Sequence, residues 1–326
     1  MKKMTIIEAI NHAMELEMQA DSSIICLGED IGVNGGVFRA TDGLIEKFGH
    51  ERVVDTPIAE AAILGSAVGM AARGLKPIAE IQFLGFIYEA MDQMASQVAR
   101  LRFRSAGSFT APLVIRSPYG GGVSAPELHS DSLEALFLHS PGIKIVMPSS
   151  PYDAKGLLTA AIRNPDPVLF LEPMKLYRAI SEEIPEESYE IEIGKANIIQ
   201  AGHDLTIITW GPPVHLVKQV ATAWAKKDIS IEIIDLRTIV PLDLETIISS
   251  VEKTGRVIIV HEAVKSGGVG AEISALINEK AIYSLKAPIQ RVTGFDTPYP
   301  VASVENEWMP NGERMNKAIE AVLVEE

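Results

Sequence analysis

The feature that most constrains this chain is an alternation of two patterns along its length. Short runs dense in Ile, Val and Leu recur, and each is followed by a longer stretch with apolar residues at three- and four-residue spacing. The short runs predict strands at Ser22 to Leu27, Pro77 to Gln82, Leu113 to Arg116, Ile143 to Met147 and Val168 to Leu171. They carry little polar alternation, so both faces are buried, as in a parallel sheet covered by helices. Thr5-Ile6-Ile7-Glu8 reads as a capping box that opens a first helix. Thr56 reads as an N-cap with Pro57 at the first helical position. Phe86 to Leu101 reads as one helix, with Met91, Met94, Val98 and Leu101 on one face. Ser150-Pro151 caps another that runs to about Arg163.

The pattern is interrupted between Ser181 and Glu192, where six acids stand without a base. This reads as a solvated linker. A second alternation follows, with strands at Leu205 to Thr209, Ile229 to Ile234 and Val257 to Val260. Helices are predicted through Val214 to Trp224, Leu244 to Val251 and Ala271 to Ile277. The expected organisation is α/β: a doubly wound domain over 1–180, an acidic linker over 181–193, and a second doubly wound domain over 194–326.

A formal net charge of -14 argues against nucleic acid or an anionic membrane as the main partner. No stretch reads as a signal peptide or membrane span. The single cysteine, Cys26, lies in an apolar run and reads as a buried strand thiol, which suits a reducing, cytoplasmic setting. Zinc spacings, a phosphate-loop lysine and a nucleophile elbow are all missing.

Several segments carry a more specific signal. Gly28-Glu29-Asp30 precedes Asn34-Gly35-Gly36-Val37-Phe38-Arg39. Asp55-Thr56-Pro57-Ile58-Ala59-Glu60 follows. Arg116-Ser117-Pro118-Tyr119-Gly120-Gly121-Gly122 runs on to Glu127-Leu128-His129-Ser130-Asp131-Ser132. Pro141-Gly142-Ile143-Lys144, Asp235-Leu236-Arg237-Thr238 and Val251-Glu252-Lys253-Thr254-Gly255 continue the series. In this order the segments resemble the beta subunit of the thiamine-diphosphate-dependent, decarboxylating component of 2-oxo acid dehydrogenase complexes. The resemblance covers nearly the whole chain. It implies a transketolase-like pyrimidine-binding domain followed by a transketolase C-terminal-like domain.

Taken alone, Glu60 is a first-turn glutamate that suits its own helix dipole. The resemblance gives it a catalytic role, bonding the aminopyrimidine nitrogen of thiamine diphosphate so that the cofactor can lose its reactive proton. It also implies that Ile58, Gln82 and Phe86 line the pyrimidine, with Phe86 on the ring. It makes His129 the second catalytic residue, serving intermediates and acyl transfer to a lipoyl group. A structural potassium ion is implied on carbonyls of Leu113, Ala161, Ile162, Asn164 and Asp166. Asn164 stands where the family often has aspartate, which weakens any side-chain contribution.

The superfamily's Gly-Asp-Gly motif for magnesium and diphosphate does not occur in the sequence. The resemblance therefore implies an alpha subunit that binds magnesium, in a two-alpha, two-beta heterotetramer with cofactors at alpha–beta interfaces. It also implies the lipoyl domain and the peripheral binding domain of a dihydrolipoyl acyltransferase as partners. A docking place for the latter is expected near the C-terminus, where six acids from Glu305 to Glu326 face two bases. The chain opens at Met1 on a capped helix, so a split subunit is expected and not a fused transketolase. The segment around His129 favours pyruvate, with branched-chain 2-oxo acids such as 3-methyl-2-oxobutanoate, or acetoin, as alternatives. A non-catalytic docking subunit is the alternative of another class.

Overall fold

Parallel strands need long crossovers, and in the computed structural model, which describes residues 1–324, helices supply most of them. The first half runs β1 (Lys2–Thr5), α1 (Ile6–Ala20), β2 (Ile24–Glu29), α2 (Leu44–Phe48), β3 (Val53–Thr56), α3 (Glu60–Ala72) and β4 (Lys76–Glu80). It continues with α4 (Leu101–Arg104), β5 (Val114–Tyr119), α5 (Glu134–Leu138), β6 (Lys144–Val146), α6 (Pro151–Arg163), β7 (Val168–Pro173) and β8 (Ser181–Ile184). The second half runs β9 (Asn197–Gln200), β10 (Leu205–Thr209), α7 (Pro213–Ala225), β11 (Ile231–Asp235), β12 (Thr238–Val240), α8 (Leu244–Thr254) and β13 (Val257–Val264). After it come α9 (Val269–Ala281), β14 (Gln290–Gly294), α10 (Glu305–Trp308) and α11 (Gly312–Leu323).

Two sheets dominate. One has seven strands in the order β12-β6-β7-β5-β4-β2-β3, and the other five in the order β14-β13-β10-β11-β9. All pairings are parallel except those of the edge strands β12 and β9. β12 comes from the second half yet completes the first half's sheet, with Thr238 opposite Val146. A single apolar cluster runs through both halves, from Leu27 and Leu64 to Trp210 and Ile273.

Local chemistry explains most boundaries. In α1, Glu8 Oε2 accepts from the Thr5 N–H at 2.7 Å and Thr5 Oγ1 accepts from the Glu8 N–H at 3.5 Å, the expected capping box. Ser150 caps α6 by accepting from the Asp153 N–H at 3.1 Å, with Pro151 in the first turn. α8 ends on Gly255 at φ +73, a left-handed cap that glycine adopts without strain. Cys26 is buried in β2, and burial pushes its thiol up to about 12.

The middle of the large sheet is charged. Arg116 on β5, 1% exposed, reaches Glu80 on β4 at 2.8 Å and Glu172 on β7 at 2.6 Å. Tyr177 Oη also donates to Glu172 at 2.5 Å. Guanidinium geometry lets one side chain bridge neighbours on both sides.

Three expectations need correction. Thr56 is not a helix cap: it pairs with Glu29 as the last residue of β3, and α3 opens at Glu60 after Ala59. The ladder holds Thr56 in the strand, so Pro57 to Ala59 become the crossover. Phe86 to Leu101 is not one α-helix. A 3-10 segment, Leu84–Ala90, is followed by a π-helical one, Asp92–Val98, and then by α4. Apolar spacing of three and four fits tight, ordinary and wide turns alike. The acidic stretch is not freely solvated either. β8 pairs with β1, Ile184 is fully buried, and Arg163 bridges Glu17 and Glu190. Lys155 Nζ donates to the carbonyls of Pro185, Glu186 and Glu187 at 2.6 to 3.0 Å. Backbone oxygens, not the acids, accept those bonds.

Arg116→Met should leave two buried carboxylates without their cation and cost about 3–5 kcal/mol. Urea unfolding of the purified chain checks this. Arg116→Lys should recover only part of the loss, because an ammonium does not offer the planar fork.

Candidate active site

Side chains just beyond the carboxyl ends of parallel strands face a common crevice, the usual ligand edge of such sheets. The sequence motifs fall there in succession. Glu29 ends β2, Thr56 ends β3, Gln82 lies two residues past β4, and the triple glycine follows β5. Asp55 joins the first two motifs: its carboxylate accepts from the Gly32 N–H at 2.6 Å and the Val33 N–H at 3.2 Å. That fixes the start of the glycine loop to the end of β3.

Glu60 is the first residue of α3 and 8% exposed. Its neighbour is another carboxylate. Burial raises the Glu29 carboxyl above the ordinary range; the charges of Asp30 and Glu60 add to the rise, and Gln82 opposes it. Glu29, Glu60 and Gln82 thus form one group. Ile58, two residues before Glu60, is 75% exposed. A first-turn carboxylate grouped with an amide side chain and preceded closely in the chain by exposed aliphatic surface suits a flat heterocycle with a hydrogen-bonding edge. The residues present therefore fit an aminopyrimidine.

The aromatic part begins next to Gln82 in the chain. The Phe83 and Phe86 rings lie 4.6 and 5.0 Å from the imidazole of His129, both edge-on. Phe38, from the glycine loop, packs on Phe83 at 5.6 Å. The structure thus brings together Phe86 and His129, and adds Phe83, which sequence reasoning missed. His129 Nδ1 lies 3.2 Å from the Glu127 carbonyl oxygen. A carbonyl only accepts, so Nδ1 carries the hydrogen in this bond, and in the neutral ring Nε2 is the acceptor nitrogen.

His129 stands on a loop whose base is closed by the Gly120 N–H donating to the Asp131 carbonyl at 3.2 Å. Leu128, at φ +64, lies so close to Gly85 that a Cβ there would sit 2.1 Å from the Leu128 oxygen. This contact needs glycine at 85. The loop's first arm is held from the second half by Glu262, Tyr299 and Glu305. Glu305 is 5% exposed, which corrects its expected place among docking acids on the surface. Glu307, Glu313 and Glu320 are exposed, with Glu313 paired to Lys317 at 2.7 Å. Glu325 and Glu326 lie outside the described residues.

The residues implied for potassium gather around the end of α6. The Leu113 carbonyl accepts from the Val168 N–H at 3.0 Å, and the Ala161 carbonyl from the Asn164 N–H at 3.2 Å. The Asn164 side chain accepts from Lys144 Nζ at 2.9 Å, and Asp166 pairs with both Lys144 and Arg102, at 3.3 and 2.7 Å. Those side chains are committed to protein cations, which leaves only backbone carbonyls for a metal. No cluster of three or more His, Cys, Asp or Glu fit for a metal occurs among the described residues. Among them, no helix is long and apolar enough to cross a membrane.

Comparison with known proteins identifies the family. Residues 2–179 match the family described as transketolase, pyrimidine binding domain, and residues 194–315 match transketolase, C-terminal domain. The pyruvate dehydrogenase E1 component subunit beta of Staphylococcus aureus (strain Mu50 / ATCC 700699) is 54% identical over 95% of this chain and 96% of its own. That of Bacillus subtilis (strain 168) is 53% identical over 99% of both. The chain belongs to the pyruvate dehydrogenase E1 beta family. A solved structure, a split gene transketolase in an inactive beta4 tetramer, covers 98% of each chain with a TM-score of 0.80 at 20% identity, and shares the fold.

In this E1 beta chain a buried carboxylate underlies the His129 loop. Glu262 Oε2 accepts from the Gly121 N–H at 3.3 Å, and burial raises its carboxyl to about 8, with Lys175 opposing. Burial likewise raises Glu134 to about 7. An unfolded glutamate titrates near ~4.3. Between these values the folded chain holds protons that the unfolded chain has released. The contribution is therefore complete below about pH 4 and is lost as pH rises through about 8. The thermal midpoint should fall from pH 5.5 to pH 8.5, and Glu262→Gln should shrink that fall by keeping the neutral shape throughout. A variant with an unchanged pH profile would place the titration elsewhere.

Proposed function

We propose that this chain is the beta half of a pyruvate dehydrogenase E1 component, active only with an alpha subunit. One observation carries the reading: the motif carboxylate Glu60 opens α3 at the ligand edge of the sheet, beside Glu29 and Gln82. The relatives' name favours pyruvate over 3-methyl-2-oxobutanoate or acetoin. The presence of both Glu60 and His129 in the chain speaks against a purely docking role.

Thiamine diphosphate, when bound, supplies the carbon nucleophile that lets a 2-oxo acid lose CO2. Glu60 holds and exchanges a proton at its carboxylate with the pyrimidine edge. Ile58, Gln82 and Phe86 border the pyrimidine and exclude water. His129 acts through Nε2, holding or releasing a proton near the reacting acyl group and assisting its transfer to lipoyl. Magnesium and the diphosphate belong to the alpha subunit in a two-alpha, two-beta assembly. Potassium is assigned to the carbonyls of Leu113, Ala161, Ile162, Asn164 and Asp166 without side-chain help. The acyltransferase's lipoyl and peripheral binding domains complete the partners. A cytoplasmic setting is consistent with the lone, buried thiol.

Three measurements test the reading. The purified chain alone should decarboxylate no pyruvate, and activity should appear on addition of the alpha subunit with magnesium. Glu60→Gln should leave the tetramer able to take up cofactor while lowering turnover by at least a hundredfold, with proton exchange at the cofactor slowed in parallel. Wild-type exchange in that variant would refute the role. His129→Ala should depress lipoyl acylation more than decarboxylation read with an artificial electron acceptor.

A further inference from the structure

The His129 loop is held by residues far away in the chain. The Glu305 Oε1 atom accepts from the Gly122 N–H at 3.0 Å, the Ser124 N–H at 3.2 Å and Tyr299 Oη at 2.5 Å. Tyr299 Oη accepts in turn from the Gly122 N–H at 3.2 Å. A buried carboxylate oxygen with three donors is a strong anchor, because charge-assisted bonds gain strength away from water. The anchor is itself fixed. The Tyr299 ring packs on Trp308 at 5.0 Å, and Trp308 Nε1 donates to Thr297 Oγ1 at 2.9 Å. The loop leaves no slack around it: a Cβ on Gly121 would lie 1.9 Å from Tyr299 Oη. Ser124 adopts φ +59, a backbone state that costs a serine energy and persists only where its surroundings enforce it. Glu305 holds the amide of that residue.

We infer that Glu305, with Tyr299, is a positioning residue for His129: the second half of the chain sets the loop that presents the imidazole to the acyl group. The inference rests on the role of His129 proposed above. Glu305 contacts neither substrate nor cofactor in this scheme. It fixes the first arm of the loop, while the Gly120–Asp131 bond closes its base and the Leu128–Gly85 contact seats its tip. With that arm released, the ring would be left to the contacts at the loop's base and tip, the Glu127 carbonyl and the edges of Phe83 and Phe86.

The test uses the assembled tetramer of alpha and beta subunits. Glu305→Ala should lower lipoyl acylation at least tenfold, and decarboxylation with an artificial acceptor by a smaller factor. Glu305→Gln keeps an oxygen that accepts both amide hydrogens, so it should recover acylation to within about threefold of wild type. Amide hydrogen exchange over 120–124 should quicken in the alanine variant and not in the glutamine one. The decisive measurement is a double-variant cycle. In a His129→Ala background, Glu305→Ala should change acylation less than twofold. If it still costs tenfold there, or if both assays fall equally, Glu305 acts on stability in general and the inference fails. Should Glu305→Ala not assemble, Tyr299→Phe removes one hydroxyl and is carried through the same cycle with the same criteria. If His129→Ala leaves acylation at the wild-type rate, the role of His129 fails and the positioning role falls with it. If His129→Ala is impaired while the Glu305 and Tyr299 variants are not, the positioning role alone is lost.

Discussion

The fold turns on one guanidinium. Arg116 sits in the central strand of the large sheet and reaches a carboxylate on the strand to each side. Three ionised groups out of water would be prohibitively costly singly, and each is tolerated because the others complete its hydrogen bonding. The arrangement also carries information. Glu80 lies opposite Arg116 in the parallel ladder, so a slip of one residue would turn its carboxylate to the opposite face of the sheet. An apolar strand triplet would slip with less penalty. The ion triad is therefore best understood as a device for register, and register decides what reaches the sheet's carboxyl edge.

Everything chemical follows from that edge. Glu29, the Asp55 motif, Gln82 and the glycine run leave successive strands at one end of the sheet, so a series dispersed over a hundred residues becomes a single crevice. The carboxylates Glu29 and Glu60 come close enough there for the charge of Glu60 to help raise the Glu29 carboxyl. Like charges held together store free energy that a hydrogen-bonding guest can release. The imidazole, by contrast, is held by two aromatic edges and a backbone carbonyl.

Much of this was legible in the sequence, for identifiable reasons. Strand positions followed from β-branched runs, and the caps at Thr5 and Ser150 follow from side chains that bond their own neighbours. Glu60, Phe86 and His129 were marked by motifs. What escaped depends on distant pairing. Thr56 reads as a cap until its ladder partner Glu29 is known. The 3-10 and π turns after Leu84 share one apolar spacing with an α-helix. Glu29 stood in plain view in the first of the motifs, yet no place at the site was read from it. Glu305 reads as a surface acid because its neighbours in sequence are exposed, and nothing local announces that Gly122 and Ser124, some 180 residues earlier, require its oxygen.

β12 has a consequence for anyone who would divide this molecule. The three residues Thr238–Val240 cap the open flank of the seven-stranded sheet although they are encoded in the other half. A recombinant fragment stopping before them would present the raw border of β6, with unpaired amides and carbonyls in a row. Such a border invites adhesion between copies. Solubility of an excised N-terminal piece should thus depend on a borrowed tripeptide, and a gene split at the obvious seam would produce two proteins of very unequal manners in a test tube.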